Sequence, residues 1–137
     1  MIKHILVPLD GSEYAERARA FAQDLAEPLK ASITLLMVLQ RGLASFPRVA
    51  ELDAHSKKLA MDYLVPFRER ARAKTDVQVE FGNPAEVIAD VATKSSADLI
   101  VMSTHGLGSS VQHPMLGSVA LRVLHLAPCP VTMVRIY

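Results

Sequence analysis

The sequence has little of what marks several common classes of protein. It contains one cysteine, Cys129, so an internal disulfide is excluded. Its formal net charge of +1 argues against a nucleic-acid-binding protein, which would usually carry a basic stripe. No stretch of the chain approaches the roughly 20 consecutive apolar residues that a membrane-spanning helix needs. We therefore expect neither a nucleic acid nor a membrane as a partner.

The composition predicts a globular protein. Hydrophobic residues make up 50% of the 137 residues, which is enough to build a substantial core. The first apolar stretch is short and runs directly into Asp10, unlike the long apolar region of a secretory signal. We expect a single cytoplasmic domain that spans residues 1–137.

The densest group of basic residues follows the middle of the chain. It consists of Arg68, Arg70, Arg72 and Lys74, at the end of a segment with a helical pattern. A solvated helix face explains such a group more simply than a site for an anionic partner. We interpret it as an ordinary charged surface.

Short apolar runs alternate along the chain with helix-periodic segments. The runs predict strands at residues 5–7, 33–39, 77–81, 99–102 and 131–136. Four of them are apolar with little alternation, which is typical of a parallel sheet covered on both faces. Residues 77–81 alternate and indicate a strand with one wet face, as at an edge. The predicted fold class is α/β, an open three-layer sandwich with helices on both faces of a parallel sheet.

Capping residues mark where the predicted helices begin. Ser12 is placed to cap the first helix, and Asn83 to cap the third with Pro84 at its first position. Glu86 is placed to reach back toward Asn83, as in a capping box. Pro66 lies inside the second helical pattern, so we expect a kink or a break there.

Two loops carry residues suited to a ligand. One follows the first strand at residues 8–12, and the other follows the fourth strand at residues 103–118. Asp10 can accept from a ribose hydroxyl or help to hold a magnesium ion. The serines at 109, 110 and 118, together with backbone N–H groups near Gly106 and Gly117, can donate to phosphates. An equally simple interpretation is that Asp10 and Ser12 only satisfy the end of a helix.

Other motifs of nucleotide, metal and hydrolytic sites are not supported. The pair Gly106 and Gly108 lacks the third glycine of a dinucleotide fingerprint, and the chain has no P-loop motif. The spacing of His105, His113 and Cys129 fits no zinc pattern. A triad of Asp10, His105 and Ser109 lacks the strained turn on which a nucleophilic serine sits. We assign no catalytic residue and no metal ligand.

Five segments together resemble the universal stress protein family over essentially the whole chain. They are Ile-Leu-Val-Pro-Leu-Asp-Gly-Ser at 5–12, Gly-Asn-Pro-Ala at 82–85, Ala-Asp-Leu-Ile-Val-Met-Ser-Thr-His-Gly at 97–106, Gly-Ser-Val-Ala at 117–120 and Ala-Pro-Cys-Pro-Val at 127–131. The resemblance implies a five-stranded parallel sheet with strand order 3-2-1-4-5. It also implies a homodimer paired through the last strand. The strand order reverses between strands one and four, and the two loops with ligand-type residues follow these two strands.

The resemblance further implies an ATP site, with Mg²⁺ as a companion of the phosphates. Ser103, Gly106, Gly117 and Ser118 match the family's nucleotide motif. Asp10 matches the acid beside the ribose, and Val38 matches a residue of the adenine pocket, which Met102 and Val119 would flank. With the neighbouring loop residues, the predicted site comprises Pro8, Leu9, Asp10, Val38, Met102, Ser103, Gly106, Ser109, Ser110, Gly117, Ser118 and Val119.

The chain departs from the family motif at two places. Ser103 replaces the usual glycine, and ten residues rather than nine separate Gly106 from Gly117. Pro114 lies in that longer loop and removes one N–H donor.

These departures leave two functions open. The first is a dimeric stress-response regulator or sensor that binds ATP or another adenine nucleotide. The second is a dimeric interaction module of the same family that does not bind nucleotide. As an enzyme we expect at most a slow ATPase, because the two loops contain no lysine or arginine to clamp a phosphate.

Overall fold

A computed structural model describes residues 1–40, 49–106 and 116–135. Strands and helices alternate through these residues. The strands are β1 His4–Leu9, β2 Ser32–Leu39, β3 Thr75–Phe81, β4 Leu99–Ser103 and β5 Val131–Val134. The helices are α1 Glu13–Leu29, α2 Val49–Arg70, α3 Pro84–Lys94 and α4 Ser118–Leu126. The predicted α/β class is confirmed.

The five strands form one parallel sheet in the order β3-β2-β1-β4-β5. This is the order that the family resemblance implied. The central strand β1 lies between β2 and β4, with Leu6 paired with Thr34 on one side and Ile100 on the other. β3 lies at an edge, as its alternating pattern predicted.

The helices cover both faces of the sheet. On one face, Ile5, Val7 and Ile33 pack with the buried alanines of α1 and with Leu64 of α2. On the other face, Leu6 and Leu36 pack against buried residues of α3 and α4, including Ile88 and Val123. Neighbouring residues of β1 therefore face opposite cores, which explains why its sequence is apolar without alternation.

The predicted helix starts are confirmed, with one difference. The Ser12 Oγ accepts from the Ala15 N–H at 3.1 Å, and the Asn83 Oδ1 accepts from the Glu86 N–H at 3.3 Å. The Glu86 carboxylate, however, accepts from Arg122 of α4 at 3.1 Å. The helix thus begins at an ordinary cap, while a residue far along the chain takes the carboxylate expected to complete the capping box.

Of the kink or break expected at Pro66, the break does not occur. α2 continues from Val49 to Arg70 with Pro66 inside it. Burial of Leu64 against the sheet holds this part of the helix in place, and the Arg70 Nε donates to the Pro66 carbonyl at 3.2 Å. Tertiary packing thus outweighs the helix-breaking effect of one proline.

Within the described residues, no helix is both long enough and apolar enough to cross a membrane.

Candidate functional site

A cavity of about 400 Å³ opens at the carboxyl ends of the central strands. The loop after β1 leads into α1 on one face of the sheet, and the segment after β4 leads toward α4 on the other. The crevice between two such departures is where open parallel sheets bind ligands. The cavity is lined by Pro8, Leu9, Asp10, Ala15, Leu36, Met37, Val38, Leu39, Gln40, Pro84, Ile88, Met102, Ser103, Thr104, His105, Gly106, Gly117, Ser118, Val119 and Ala120.

The structure brings most of the predicted site residues together around this one cavity. Ser109 and Ser110 lie outside the described residues. The ten others line the cavity: Pro8, Leu9, Asp10, Val38, Met102, Ser103, Gly106, Gly117, Ser118 and Val119. Their roles toward a ligand remain predictions.

One side of the cavity is apolar. The predicted Val38 and Met102 are joined there by Ile88 of α3, and Met37 of β2 lines the cavity from the other face of the sheet. Sequence analysis included neither Ile88 nor Met37. Ile88 was recognised only as part of a buried helix stripe, and Met37 only as part of a strand. The signal that would have found Met37 is the strand register, because Met37 pairs with Leu9 directly beside Asp10. This wall suits a flat apolar group such as a purine base.

Asp10 lies at the polar end of the cavity in a fixed orientation. Its Oδ1 accepts from the Ser12 N–H at 2.9 Å, while the Ser12 hydroxyl caps α1. Ser12 therefore serves the helix terminus, and Asp10 borders the cavity as well as holding the turn. The helix-terminus interpretation is confirmed for Ser12, and a role of Asp10 toward a ligand stays a prediction.

Because Gly106 has no side chain, the Asp10 carboxylate lies close against its backbone. A Cβ atom added at Gly106 would overlap the Asp10 Oδ2. The backbone of Gly106 does not have the positive φ that favours glycine, unlike that of Gly11. Close approach, rather than backbone conformation, is therefore the reason for a glycine at position 106.

Thr104 connects the end of β4 to the start of α4 and to β5. The Gly117 N–H donates to the Thr104 carbonyl at 2.8 Å, and the Thr104 N–H donates to the Val134 carbonyl of β5 at 3.2 Å. The Ser103 hydroxyl donates to the His105 carbonyl and fixes the next turn of chain. Sequence analysis did not assign Thr104, because its role depends on backbone bonds to distant residues.

His105 also lines the cavity without having been assigned to it. Its ring packs against Tyr14, with 6.4 Å between ring centroids, and its Nδ1 lies 2.9 Å from the Thr104 hydroxyl. The only signal in the sequence was its position in the loop after β4.

The first turn of α4 points its N-terminus at the cavity. Gly117 is the N-cap and offers no side-chain acceptor to the helix. Ser118, Val119 and Ala120 follow it along the cavity wall. The exposed backbone N–H groups and the positive end of the helix dipole attract anions. Among the described lining residues none is lysine or arginine, so these N–H groups and the Ser118 hydroxyl are the donors at this end of the cavity.

The described part of the chain contains no cluster of three or more histidine, cysteine, aspartate or glutamate side chains suited to a metal ion. Asp10 is the single carboxylate among the described residues that line the cavity. Mg²⁺ at this site would therefore depend mainly on phosphate oxygens for its ligands.

Comparisons with known proteins point to one family. The sequence profile of the universal stress protein family matches residues 1–135. A universal stress protein of Thermus aquaticus is 37% identical, over 98% of this chain and 100% of that protein. One from Synechocystis is 33% identical, over 98% of this chain and 86% of that protein.

Solved structures share the fold. The universal stress protein UspA from Lactobacillus plantarum is 30% identical, with a TM-score of 0.81 over 98% of each chain. A universal stress protein in complex with cAMP has a TM-score of 0.74 at 22% identity, over 97% of each chain. An Arabidopsis thaliana family member with AMP bound has a TM-score of 0.68 at 17% identity, over 98% of this chain and 92% of that one. At these last two identities the likeness concerns the fold alone.

Proposed function

This chain belongs to the universal stress protein family, and within that family we propose that it binds an adenine nucleotide in the cavity at the carboxyl end of the sheet. Two proteins of the same fold are known with cAMP or AMP. The observation that carries the proposal is the meeting of three features in one cavity. These are the apolar wall around Val38 and Met102, the oriented carboxylate of Asp10, and the N-terminus of α4 at Gly117.

Each part of a nucleotide finds a complementary surface. The adenine ring packs on the apolar wall between Val38 and Met102. The Asp10 carboxylate, which borders the cavity, accepts from a ribose hydroxyl. The phosphates lie against the backbone N–H groups of the first turn of α4 and the Ser118 hydroxyl. ATP enters with Mg²⁺, because the described lining residues offer no lysine or arginine to offset its charge.

We propose a regulator or sensor rather than an efficient enzyme. Phosphoryl transfer needs a cationic clamp and a positioned nucleophile. The described cavity residues include no lysine or arginine that could act as this clamp. Any ATP hydrolysis will therefore be slow.

Calorimetric titration with AMP, cAMP, ATP and Mg-ATP tests the site. The wild-type chain should bind at least one of them at one site per chain. Asp10→Ala should weaken that binding at least about tenfold, as expected for loss of a charge-assisted hydrogen bond. Asp90→Ala is the matched control, because Asp90 is an exposed carboxylate of α3 that pairs with Lys94. Absence of binding by every nucleotide, or equal affinity in Asp10→Ala, would contradict the proposal.

An empty cavity would favour the second function, a dimeric interaction module. The features that motivate it are the ten-residue spacing between Gly106 and Gly117 and the proline at position 114. The longer loop lies outside the described residues for most of its length. Failure of all four nucleotides in the titration, with the fold intact, would select this alternative.

We also propose that the chain acts as a homodimer through β5. This strand pairs with β4 alone among the described strands, and its residues are all half-buried. The Ile100 N–H donates to the Pro130 carbonyl, and the Thr104 N–H donates to the Val134 carbonyl. Since bonding sides alternate along a strand, the backbone of Val131 and Met133 faces the open edge, where a second copy can pair.

Sedimentation of two variants tests this edge. Met133→Pro removes the outward N–H donor and should convert the dimer to a monomer. Met133→Ala shortens the side chain further but keeps the N–H, and it should remain dimeric. A monomeric wild-type chain, or a dimer unaffected by Met133→Pro, would refute pairing through β5.

A further inference from the structure

The basic group near the end of α2 is divided by the fold into paired and unpaired arginines. Arg68 pairs with Glu69 at 3.2 Å, and Arg72 pairs with Asp24 and Glu27 of α1 at 3.4 Å each. Within residues 1–40, 49–106 and 116–135, neither Arg70 nor Arg19 of α1 has a carboxylate within ion-pair distance. The sequence had suggested a solvated charged surface, and the structure distinguishes Arg70 of this group, together with Arg19 of α1, as arginines without an ion pair among the described residues.

The two unpaired guanidinium groups lie around one phenyl ring. The Arg19 Cζ is 4.4 Å from the centroid of Phe67, and the Arg70 Cζ is 5.7 Å from it. Tyr63 packs edge-on against the same ring, with 5.4 Å between centroids. These contacts hold two positive charges close together, and each repels the other.

The acidic side chain that acts on Arg19 is Glu16, and it already accepts a hydrogen bond. The Tyr63 hydroxyl donates to the Glu16 Oε2 at 2.7 Å. Burial lowers the pKa of Arg19, the neighbouring Glu16 partly restores it, and Arg70 lowers it further. Burial and Arg70 thus both disfavour the positive charge of Arg19. Its buried Nε has no hydrogen-bond partner among the described residues.

A groove of about 490 Å³ opens beside these arginines, between the C-terminal parts of α1 and α2. Its lining residues are Arg19, Ala20, Gln23, Asp24, Phe67, Arg70, Ala71 and Arg72. Gln23 is not available to a ligand, because its amide donates to Thr75 and its carbonyl oxygen accepts from the Ala73 N–H. None of these residues lines the cavity proposed for the nucleotide.

We propose that this groove binds a small oxyanion, such as the phosphate group of a metabolite, between the guanidinium groups of Arg19 and Arg70. An oxyanion placed there neutralises two like charges that the fold holds together. The planar guanidinium fork matches the oxygens of a phosphate or a carboxylate. The carboxylate of Asp24, which also lines the groove, is paired with Arg72.

The simpler alternative is that both arginines only cover Phe67 with their side-chain stems. That alternative and the proposal differ in what happens when an oxyanion is added. Stem packing predicts no saturable site, whereas a built site predicts one that depends on both guanidinium groups.

NMR of the arginine Nε–H groups in the full chain separates the two. Inorganic phosphate and citrate serve as probes, with sodium chloride at matched ionic strength as the reference. The signals of Arg19 and Arg70 should shift and saturate with at least one oxyanion and drift without saturation in chloride. Unsaturable shifts with both oxyanions would overturn the proposal.

Variants locate the response. Arg70→Gln should weaken the oxyanion affinity at least about tenfold, as expected for lost charge-assisted hydrogen bonds. Arg70 is exposed, so this change leaves the core intact. Arg17→Gln, an exposed arginine of α1 outside the groove, should bind as the wild type does. Equal affinity in Arg70→Gln and Arg17→Gln would overturn the proposal.

The Asp10→Ala variant distinguishes oxyanion binding in the groove from binding in the nucleotide cavity. The oxyanion response should persist in this variant whether or not the chain binds nucleotide. Loss of the response in Asp10→Ala would place the anion in the cavity and overturn the proposal for the groove.

Discussion

The two ends of the sheet are built in opposite ways. At the amino end, the Asp98 Oδ2 accepts from the backbone N–H groups of Lys3 and His4 at 2.8 and 2.9 Å. The His4 ring lies within hydrogen-bond distance of the hydroxyls of Ser32 and Thr34, at 2.7 and 2.9 Å. At the carboxyl end, the strands open on a cavity of about 400 Å³. Hydrogen bonds of side chains hold the strand starts together at the amino end, which we call the closed end. The carboxyl end, which we call the open end, borders the cavity.

The direction of the chain explains why the accessible end is the carboxyl end. Each helix that follows a strand begins there, so its exposed N–H groups and positive dipole end face that side. The helices end near the amino edge of the sheet, where orphan carbonyls meet the starts of strands. The same strands therefore serve stability at one end and, in the proposed function, a ligand at the other, and the following predictions test this separation.

The largest effect is expected from a core substitution near the closed end. Ile33→Ala removes a fully buried side chain at the start of β2 and should lower the free energy of unfolding by about 2–5 kcal/mol. Nucleotide affinity of the folded fraction should not change, because Ile33 does not line the cavity. Urea unfolding and calorimetry measure the two quantities. A large loss of affinity at equal folded fraction would show that the two ends are coupled.

The next effect concerns the open end. Gly106→Ala places a Cβ where the Asp10 Oδ2 lies, so the carboxylate must move. Displacing it should weaken nucleotide binding about tenfold, as expected for loss of the charge-assisted hydrogen bond to the ribose. Calorimetry measures the affinity, and thermal unfolding confirms the fold. Wild-type affinity in a folded Gly106→Ala chain would show that the close approach of these residues is irrelevant to the ligand.

A smaller effect should come from the cap beside the cavity. Ser12→Ala removes the hydroxyl that accepts from the Ala15 N–H, and should lower the free energy of unfolding by about 1 kcal/mol. The backbone N–H of residue 12 remains to hold Asp10. Nucleotide affinity should therefore stay nearly constant while stability in urea falls. A parallel loss of affinity would mean that capping and ligand binding share one residue after all.

The smallest effect should appear at the closed end, in the response to acid. Backbone N–H groups of Lys3 and then His4 lower the pKa of Asp98 below its ordinary value. A lowered pKa in the folded state contributes stability above the unfolded-state pKa, and that contribution disappears as the pH falls through the folded-state pKa. Asp98→Asn removes the charge with little change in shape.

The measurement is the thermal unfolding midpoint from neutral to acidic pH. The wild-type midpoint should fall slightly more on acidification than that of Asp98→Asn, and the two proteins should converge at low pH. Nucleotide affinity at neutral pH should be the same in both. Identical pH profiles would show that Asp98 contributes nothing through its charge.

Much of the local structure was predictable because its causes are local. Runs without alternation identified the buried strands, and Ser12 and Asn83 identified the starts of two helices. The continuation of α2 through Pro66 without a break has a distant cause, because packing of α2 on the sheet holds the helix on both sides of the proline. The pairing of Glu86 with Arg122 likewise depends on how α3 and α4 meet.

The sequence by itself determined the α/β class, the two ligand loops and the residues that begin the helices. These follow from side-chain polarity and backbone preference over a few neighbouring residues. Periodicity left the strand order open, and the family resemblance supplied it. Only the tertiary structure placed Gly106 against Asp10, Met37 beside the cavity, and Arg19 with Arg70 around Phe67. Those contacts join residues far apart in the chain, and their geometry is fixed by the packing of helices on the sheet rather than by any local pattern.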